Sequence, residues 1–198
     1  METESTMMAR EDIKDAIRTL DRILVDDRLL TAISEVADAC VEALRAGGKI
    51  LFAGNGGSAA DAQHLAAELV GRFAYDRPGL SAFALTTDSS VLTAIGNDYG
   101  YEFLFARQVE AVGASGDVFF GISTSGRSPN VLNALRAART KGLTTVGLAG
   151  LQGGEMLEAC DYLLQVPSEA TPRIQEGHAL VGHIICRLIE TKMFPKAS

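Results

Sequence analysis

Apolar residues along this chain change rhythm near residue 48. Before that point they recur at helical spacing. Ile13, Ile17, Leu20 and Leu24 mark one helix between about Arg10 and Asp27. Ile33, Val36, Ala37, Cys40, Val41 and Leu44 mark a second, from about Leu30 to Arg45, which Gly47-Gly48 ends. After residue 48, short apolar runs alternate with helical stretches. KILFAG (Lys49–Gly54), SAFALTT (Ser81–Thr87), DVFFGIST (Asp117–Thr124), TTVGLAG (Thr144–Gly150) and DYLLQVP (Asp161–Pro167) read as strands. Helical patterns lie near Ser58–Phe73, Ser90–Ile95, Glu102–Val112, Ser128–Lys141, Gly154–Ala159 and Arg173–Met193. Apolar strands joined by helices predict a parallel sheet covered on both faces. The expected fold is therefore α/β: a three-layer α/β/α sandwich with a central five-stranded parallel sheet, preceded by N-terminal helices. In such sheets ligands bind beyond the carboxyl ends of the strands.

Composition narrows the function. The chain has 198 residues, a net charge of -7 and 47% hydrophobic residues. A nucleic-acid surface needs clustered Lys and Arg, which this balance disfavours; a small anion needs only a few backbone N–H groups. No apolar run approaches the roughly 20 residues of a membrane span. The opening METESTMMAREDIKDAI is polar and acidic, unlike a signal peptide, so a cytoplasmic location is expected. Cys40, Cys160 and Cys186 are far apart among apolar neighbours and read as small core hydrophobes.

Three strand-to-helix loops carry candidate chemistry. In AGNGGSAAD, Gly56 and Gly57 permit positive φ or close backbone approach, and Ser58 reads as the helix N-cap. No Lys follows, so this is not a nucleotide P-loop, and Ala59 breaks the dinucleotide G-x-G-x-x-G pattern. In IGNDYGYE, Asn97 and Asp98 follow Gly96 at a helix end, suited either to capping or to ligand contact. In GISTSGRSPN, Ser123, Thr124, Ser125 and Ser128 surround Gly126, and Pro129 suits a first helical turn. Four hydroxyls at a helix start make a neutral phosphate cradle.

The three histidines come next. His64 and Glu68, at i and i+4, share one helix face just beyond the first loop. RIQEGHALVGHII adds Gln175, Glu176, His178 and His183 on a largely apolar helix. Gln175 and His183 are separated by about 12 Å of helix axis, so one ion could take both only if their side chains converge, if Gln175 lies before the helix proper, or if two chains contribute. On so apolar a helix a satisfied core histidine is the usual reading, and His178 is the candidate for a solvent-facing or interface residue.

Together, N-G-G-S-A-A-D-A-Q-H-x-x-x-E, S-T-S-G-x-S, N-D-Y and R-I-Q-E-x-H resemble the phosphoheptose (sedoheptulose 7-phosphate) isomerases of the sugar isomerase, or SIS, domain class. The resemblance runs from about Leu29 to Pro195. It implies a flavodoxin-like SIS domain over 29–198, with 1–28 as an oligomerisation helix, and a homotetramer with active sites at subunit interfaces. It also implies one Zn²⁺ per subunit on His64, Glu68, Gln175 and His183. Glu68 and His183 would be the acid–base pair; Asn55, Gly56, Gly57, Asn97 and Asp98, with Glu68 and Gln175, would hold the sugar. Ser123, Thr124, Ser125 and Ser128 would hold the phosphate. The implied reaction converts sedoheptulose 7-phosphate to D-glycero-D-manno-heptose 7-phosphate through an enediol, the first step toward ADP-heptose for lipopolysaccharide or a related glycan. Many relatives carry an acid three positions before Gln175; here that position is Pro172, and the nearest acid is Glu169. The alternative is a non-catalytic SIS protein that binds a protein partner such as the replication initiator. The retained Glu68, His183 and serine loop favour the enzyme.

Overall fold

The computed structural model describes residues 3–196, so the outermost residues of the two expected segments, 1–2 and 197–198, lie outside the described part. Two helices, α1 (Glu4–Leu24) and α2 (Asp27–Arg45), precede an alternation of β1 (Ile50–Gly54), α3 (Gly57–Val70), β2 (Ala82–Ala84), α4 (Ser89–Asp98), α5 (Ala106–Val112), β3 (Val118–Ile122), α6 (Pro129–Thr140), β4 (Thr144–Ala149), α7 (Met156–Ala159), β5 (Tyr162–Gln165) and α8 (Thr171–Met193). The five strands are all parallel, in the order β2-β1-β3-β4-β5. The expected α/β/α sandwich is present.

Period-two alternation divides the core. Ile50 and Phe52, with Val118, Phe120, Val146 and Leu148, face a layer built from α2, α3 and α8. Leu51, Ala53 and Phe119 face the opposite layer, with α5, α6 and α7. At the amino ends of the strands, buried Asp117 accepts the Lys49 and Ala114 N–H groups and pairs with Lys49 Nζ at 2.6 Å. That end is fastened shut, and the carboxyl ends are left for the loops.

Helix α1 contrasts with the rest. Only Thr19 and Ile23 are buried. Ile13, Ile17 and Leu24, three of the four apolar residues that predicted the helix, are at least half exposed (62%, 51% and 70%). Its apolar stripe therefore points away from its own chain.

The boundaries differ modestly from expectation. Ser81–Thr87 forms only a three-residue edge strand. The predicted Glu102–Val112 helix divides into a 3-10 turn (Tyr101–Phe103) and α5. Ser58 is not the N-cap of α3: Gly56, at φ 56°, is, and Ser58 lies buried within the first turn. A glycine is required there because a side chain at that φ would be strained.

Candidate active site

Helices α3 and α8 lie side by side in parallel register. Gly57 meets Gln175, His64 meets His183 (119 residues apart) and Phe73 meets Glu190 (117 apart). An offset that stays between 117 and 119 over so long a span means that the two helices advance together. Gly182 makes the close approach possible, since a Cβ there would come within 2.6 Å of the Leu65 side chain.

This register resolves where the histidines go. His64 Nε2 and His183 Nε2 are 2.7 Å apart, and His64 Nε2 is 3.5 Å from Glu68 Oε1. The three side chains offer ligand atoms all within 4.8 Å of one another, and one chain supplies them all. Two imidazole nitrogens that close share either a proton or a cation. Two nitrogens and a carboxylate oxygen are the donor types that zinc accepts, so the residues present fit that ion. The Phe73 ring packs on His183 with centroids 5.5 Å apart and walls one side of the cluster.

Gln175 enters at the other end of the seam. Its amide lies on the Gly57 backbone, where an added Cβ would come within 2.2 Å of Nε2. Gly57 is therefore needed for close approach, while Gly56 supplies the turn. Gln175 thus stands beside the predicted sugar-binding turn, about two helical turns along α3 from His64.

The crevice continues between β1 and β3, where the order of strands reverses. Asn55, leaving β1, exchanges two hydrogen bonds with fully buried Asn130 at the start of α6. Asn55 Nδ2 donates to Asn130 Oδ1 at 2.9 Å, and Asn130 Nδ2 donates to Asn55 Oδ1 at 2.8 Å. Tyr101 Oη also donates to Asn55 Oδ1 at 2.9 Å. Buried amides need such partners, and here they fix the orientation of a predicted sugar contact. Asn130 sits inside the quoted S-P-N helix start and Tyr101 inside NDYGYE, but only the fold shows that both serve Asn55.

Across the crevice, Ser123 Oγ and Ser128 Oγ are 2.9 Å apart, and Ser125 Oγ accepts the Arg127 N–H. Ser128 is the N-cap residue of α6, yet its hydroxyl makes no capping bond within the helix. Thr124, Ser125 and Arg127, with Gly150, Gln152, Ser168 and Glu169, line a cleft of about 190 Å³. Glu169 accepts Gln152 Nε2 at 2.7 Å on its rim, and Pro172 occupies the first turn of α8, where its missing N–H costs nothing. Asn97 and Asp98 end α4 and hydrogen-bond to each other at 2.7 Å; among the described residues no bond joins them to the rest of the predicted set.

The solvent-facing placement of His178 is overturned. It is 1% exposed, because it falls on the sheet-facing side of α8 beside Gly177, which packs on Val166. Burial pushes its pKa down to about 4, against a smaller upward pull from the Ala149 carbonyl, and neither ring nitrogen has a hydrogen bond of good geometry. Burial likewise pushes the Cys160 and Cys186 thiols up to about 12, which fits apolar packing for the cysteines. Sequence reasoning also missed Asp61, one turn before His64. Burial raises its carboxyl against the opposing pull of His64, and its Oδ2 has no partner.

Comparison with known proteins gives these residues a context. A family model described as the SIS domain matches residues 13–150. A phosphoheptose isomerase of Burkholderia pseudomallei (strain 1710b) is 59% identical over 196 residues, covering 99% of this chain and all of the relative. A second, from Campylobacter jejuni, is 57% identical over 182 residues, covering 92% and 90%. The solved phosphoheptose isomerase of Francisella tularensis superposes with a TM-score of 0.91 at 36% identity, covering 96% of this chain and 100% of that one. That of Neisseria gonorrhoeae gives 0.88 at 42%, covering 93% and 98%. In the described residues, no helix is long and apolar enough to cross a membrane.

Proposed function

This chain belongs to the phosphoheptose isomerases of the SIS domain family and is a sugar-phosphate isomerase, and from that premise we propose how its residues perform the reaction. The substrate is sedoheptulose 7-phosphate and the product D-glycero-D-manno-heptose 7-phosphate. The phosphate rests on Ser123, Thr124, Ser125 and Ser128. The sugar hydroxyls meet Asn55 and the Gly56–Gly57 turn, with Asn97, Asp98 and Gln175 contributing further contacts.

Glu68 and His183 carry the protons. One removes a proton from C1 of the ketose, giving an enediol, and the proton returns to C2 of the aldose. The other moves a proton between O2 and O1, so no atom is gained or lost. The observation that carries this reading is the meeting of His64, Glu68 and His183 within 4.8 Å beside the crevice. A carboxylate and an imidazole in reach of one substrate edge are what proton transfer between adjacent carbons needs. His64, Glu68 and His183 would hold Zn²⁺, one per subunit, and Gln175 would join them as the fourth ligand only by leaving its place against Gly57; the ion would supply polarisation of the substrate oxygens. Gln is an uncommon zinc ligand, so the ion should exchange readily.

The outward apolar stripe of α1 supports self-association through residues 1–28, with 29–198 as the SIS domain and a homotetramer as the assembly. A cytoplasmic role early in ADP-heptose synthesis for lipopolysaccharide or a related glycan follows from the substrate. The reading is tested by incubating the purified protein with sedoheptulose 7-phosphate, with and without chelator, and following the aldose by NMR. The expected result is turnover that chelation abolishes and added zinc restores. No turnover with zinc present would return the chain to a binding role.

A further inference from the structure

The region beyond the site holds one group that the proton chemistry does not use. Glu190 on α8 is fully buried, and the Arg77 side chain beside it is 1% exposed. The Glu190 carboxylate accepts the Phe73 and Ala74 N–H groups, both at 2.8 Å, and Arg77 Nε at 3.1 Å. The Arg77 guanidinium spends its other donors on the end of α3. Nη2 donates to the Glu68 carbonyl at 2.8 Å, and Nη1 to the carbonyls of Leu69 at 2.6 Å and Gly71 at 3.1 Å.

Stability alone is a weak reason for this arrangement. A buried ion pair is expensive to desolvate, and well-packed apolar residues of the same volume often serve as well or better. What apolar residues could not do is satisfy the last carbonyls of α3 and two loop N–H groups with the same pair of side chains. The consequence is geometric. Arg77 grips the backbone of Glu68 itself. Glu190, two helical turns after His183 on the same helix, fixes the N–H of Phe73, whose ring lies on His183. One ion pair thus fastens the helix carrying His64 and Glu68 to the helix carrying His183, and sets the ring that backs His183.

We infer that Arg77 and Glu190 are positioning residues that hold His64, Glu68 and His183 in register for one shared cation, with Phe73 as the contact that transmits this to His183. The inference rests on the metal reading above. Partners that orient metal ligands typically set affinity by about 10- to 100-fold, and this pair does so through the backbone of one ligand and the ring face of another.

The test is zinc affinity by chelator competition, together with the visible spectrum of the Co²⁺-loaded protein, on wild type, Arg77→Lys, Glu190→Gln and Phe73→Leu. Circular dichroism melting follows the fold. Leu135→Ala, on the far face of the sheet, serves as the control for general destabilisation. Zinc affinity should fall about 10- to 100-fold in the first two variants and less in Phe73→Leu, with an altered Co²⁺ spectrum. The control should melt earlier yet bind zinc as wild type does. With sedoheptulose 7-phosphate, kcat should fall at nearly constant KM, because the serine loop is untouched. If Glu190→Gln does not fold, Arg77→Lys and Phe73→Leu carry the test. Folded variants with wild-type zinc affinity and wild-type kcat would overturn the positioning role. A wild type that binds no zinc, with variants that still lose kcat, would overturn the metal reading and leave the clamp standing.

Discussion

The two walls of the crevice are built in opposite ways. The wall proposed to hold the phosphate is a single loop, Ser123–Ser128, whose hydroxyls are neighbours in sequence and meet each other within it. The wall proposed to transfer protons is the α3–α8 seam, whose partners lie 119 residues apart and meet only because two parallel helices keep register around Gly182. A local wall should bind and a long-range wall should react. Damage to the first should change KM, and damage to the second kcat.

The largest effect should come from the seam. Glu68→Gln and His183→Gln should each lower kcat by about 10³-fold, within the range general acid–base groups supply, with KM changed little in steady-state assays. A rise in KM alone would erase the distinction between the walls.

Next in size is a pH effect from the imidazole that α8 buries against the sheet. His178 in the folded protein titrates near 4, below an unfolded value near 6.5. The unfolded chain therefore binds the extra proton between those values, so stability is full above about pH 6.5 and is lost as pH falls toward 4. At about 1.4 kcal/mol per pKa unit the loss is roughly 3 kcal/mol. Urea unfolding of wild type at a series of pH values should show it, and His178→Phe should flatten that slope.

On the local wall, Ser125→Ala and Ser123→Ala should each raise KM about 10-fold, the worth of one hydrogen bond to a charged group, with kcat nearly unchanged. The smallest effect should be Gly57→Ala. The new methyl group must displace the Gln175 amide, and a several-fold loss of kcat/KM is expected, with a crystal structure showing Gln175 moved.

The same contrast explains what was legible in the sequence. Strands and layers followed from short apolar runs and helical spacing, because burial on both faces leaves continuous apolar runs such as Ile50–Ala53. The serine loop was legible for the same local reason. His64 and Glu68 formed a weak pair by spacing alone. Their meeting with His183 depends on helix register, which no local pattern encodes, and the family motifs were what joined them. His178 was misplaced because two helical positions, 178 and 183, look alike until the sheet-facing side of α8 is known. Arg77 and Glu190 went unseen because an isolated Arg and an isolated Glu read as surface residues; only tertiary packing makes them a pair. The apolar stripe of α1 was read correctly as helical, but its periodicity could not say that it would face outward.

The central claim is that the α3–α8 seam moves the proton. Turnover of sedoheptulose 7-phosphate in D₂O, followed by NMR, tests it most directly. The account predicts that wild type places solvent deuterium at C2 of the aldose in a measurable share of the product, while Glu68→Gln and His183→Gln, folded and still binding substrate, exchange at a small fraction of that rate. Turnover, or exchange of deuterium into C2, at the wild-type rate in both variants would contradict it.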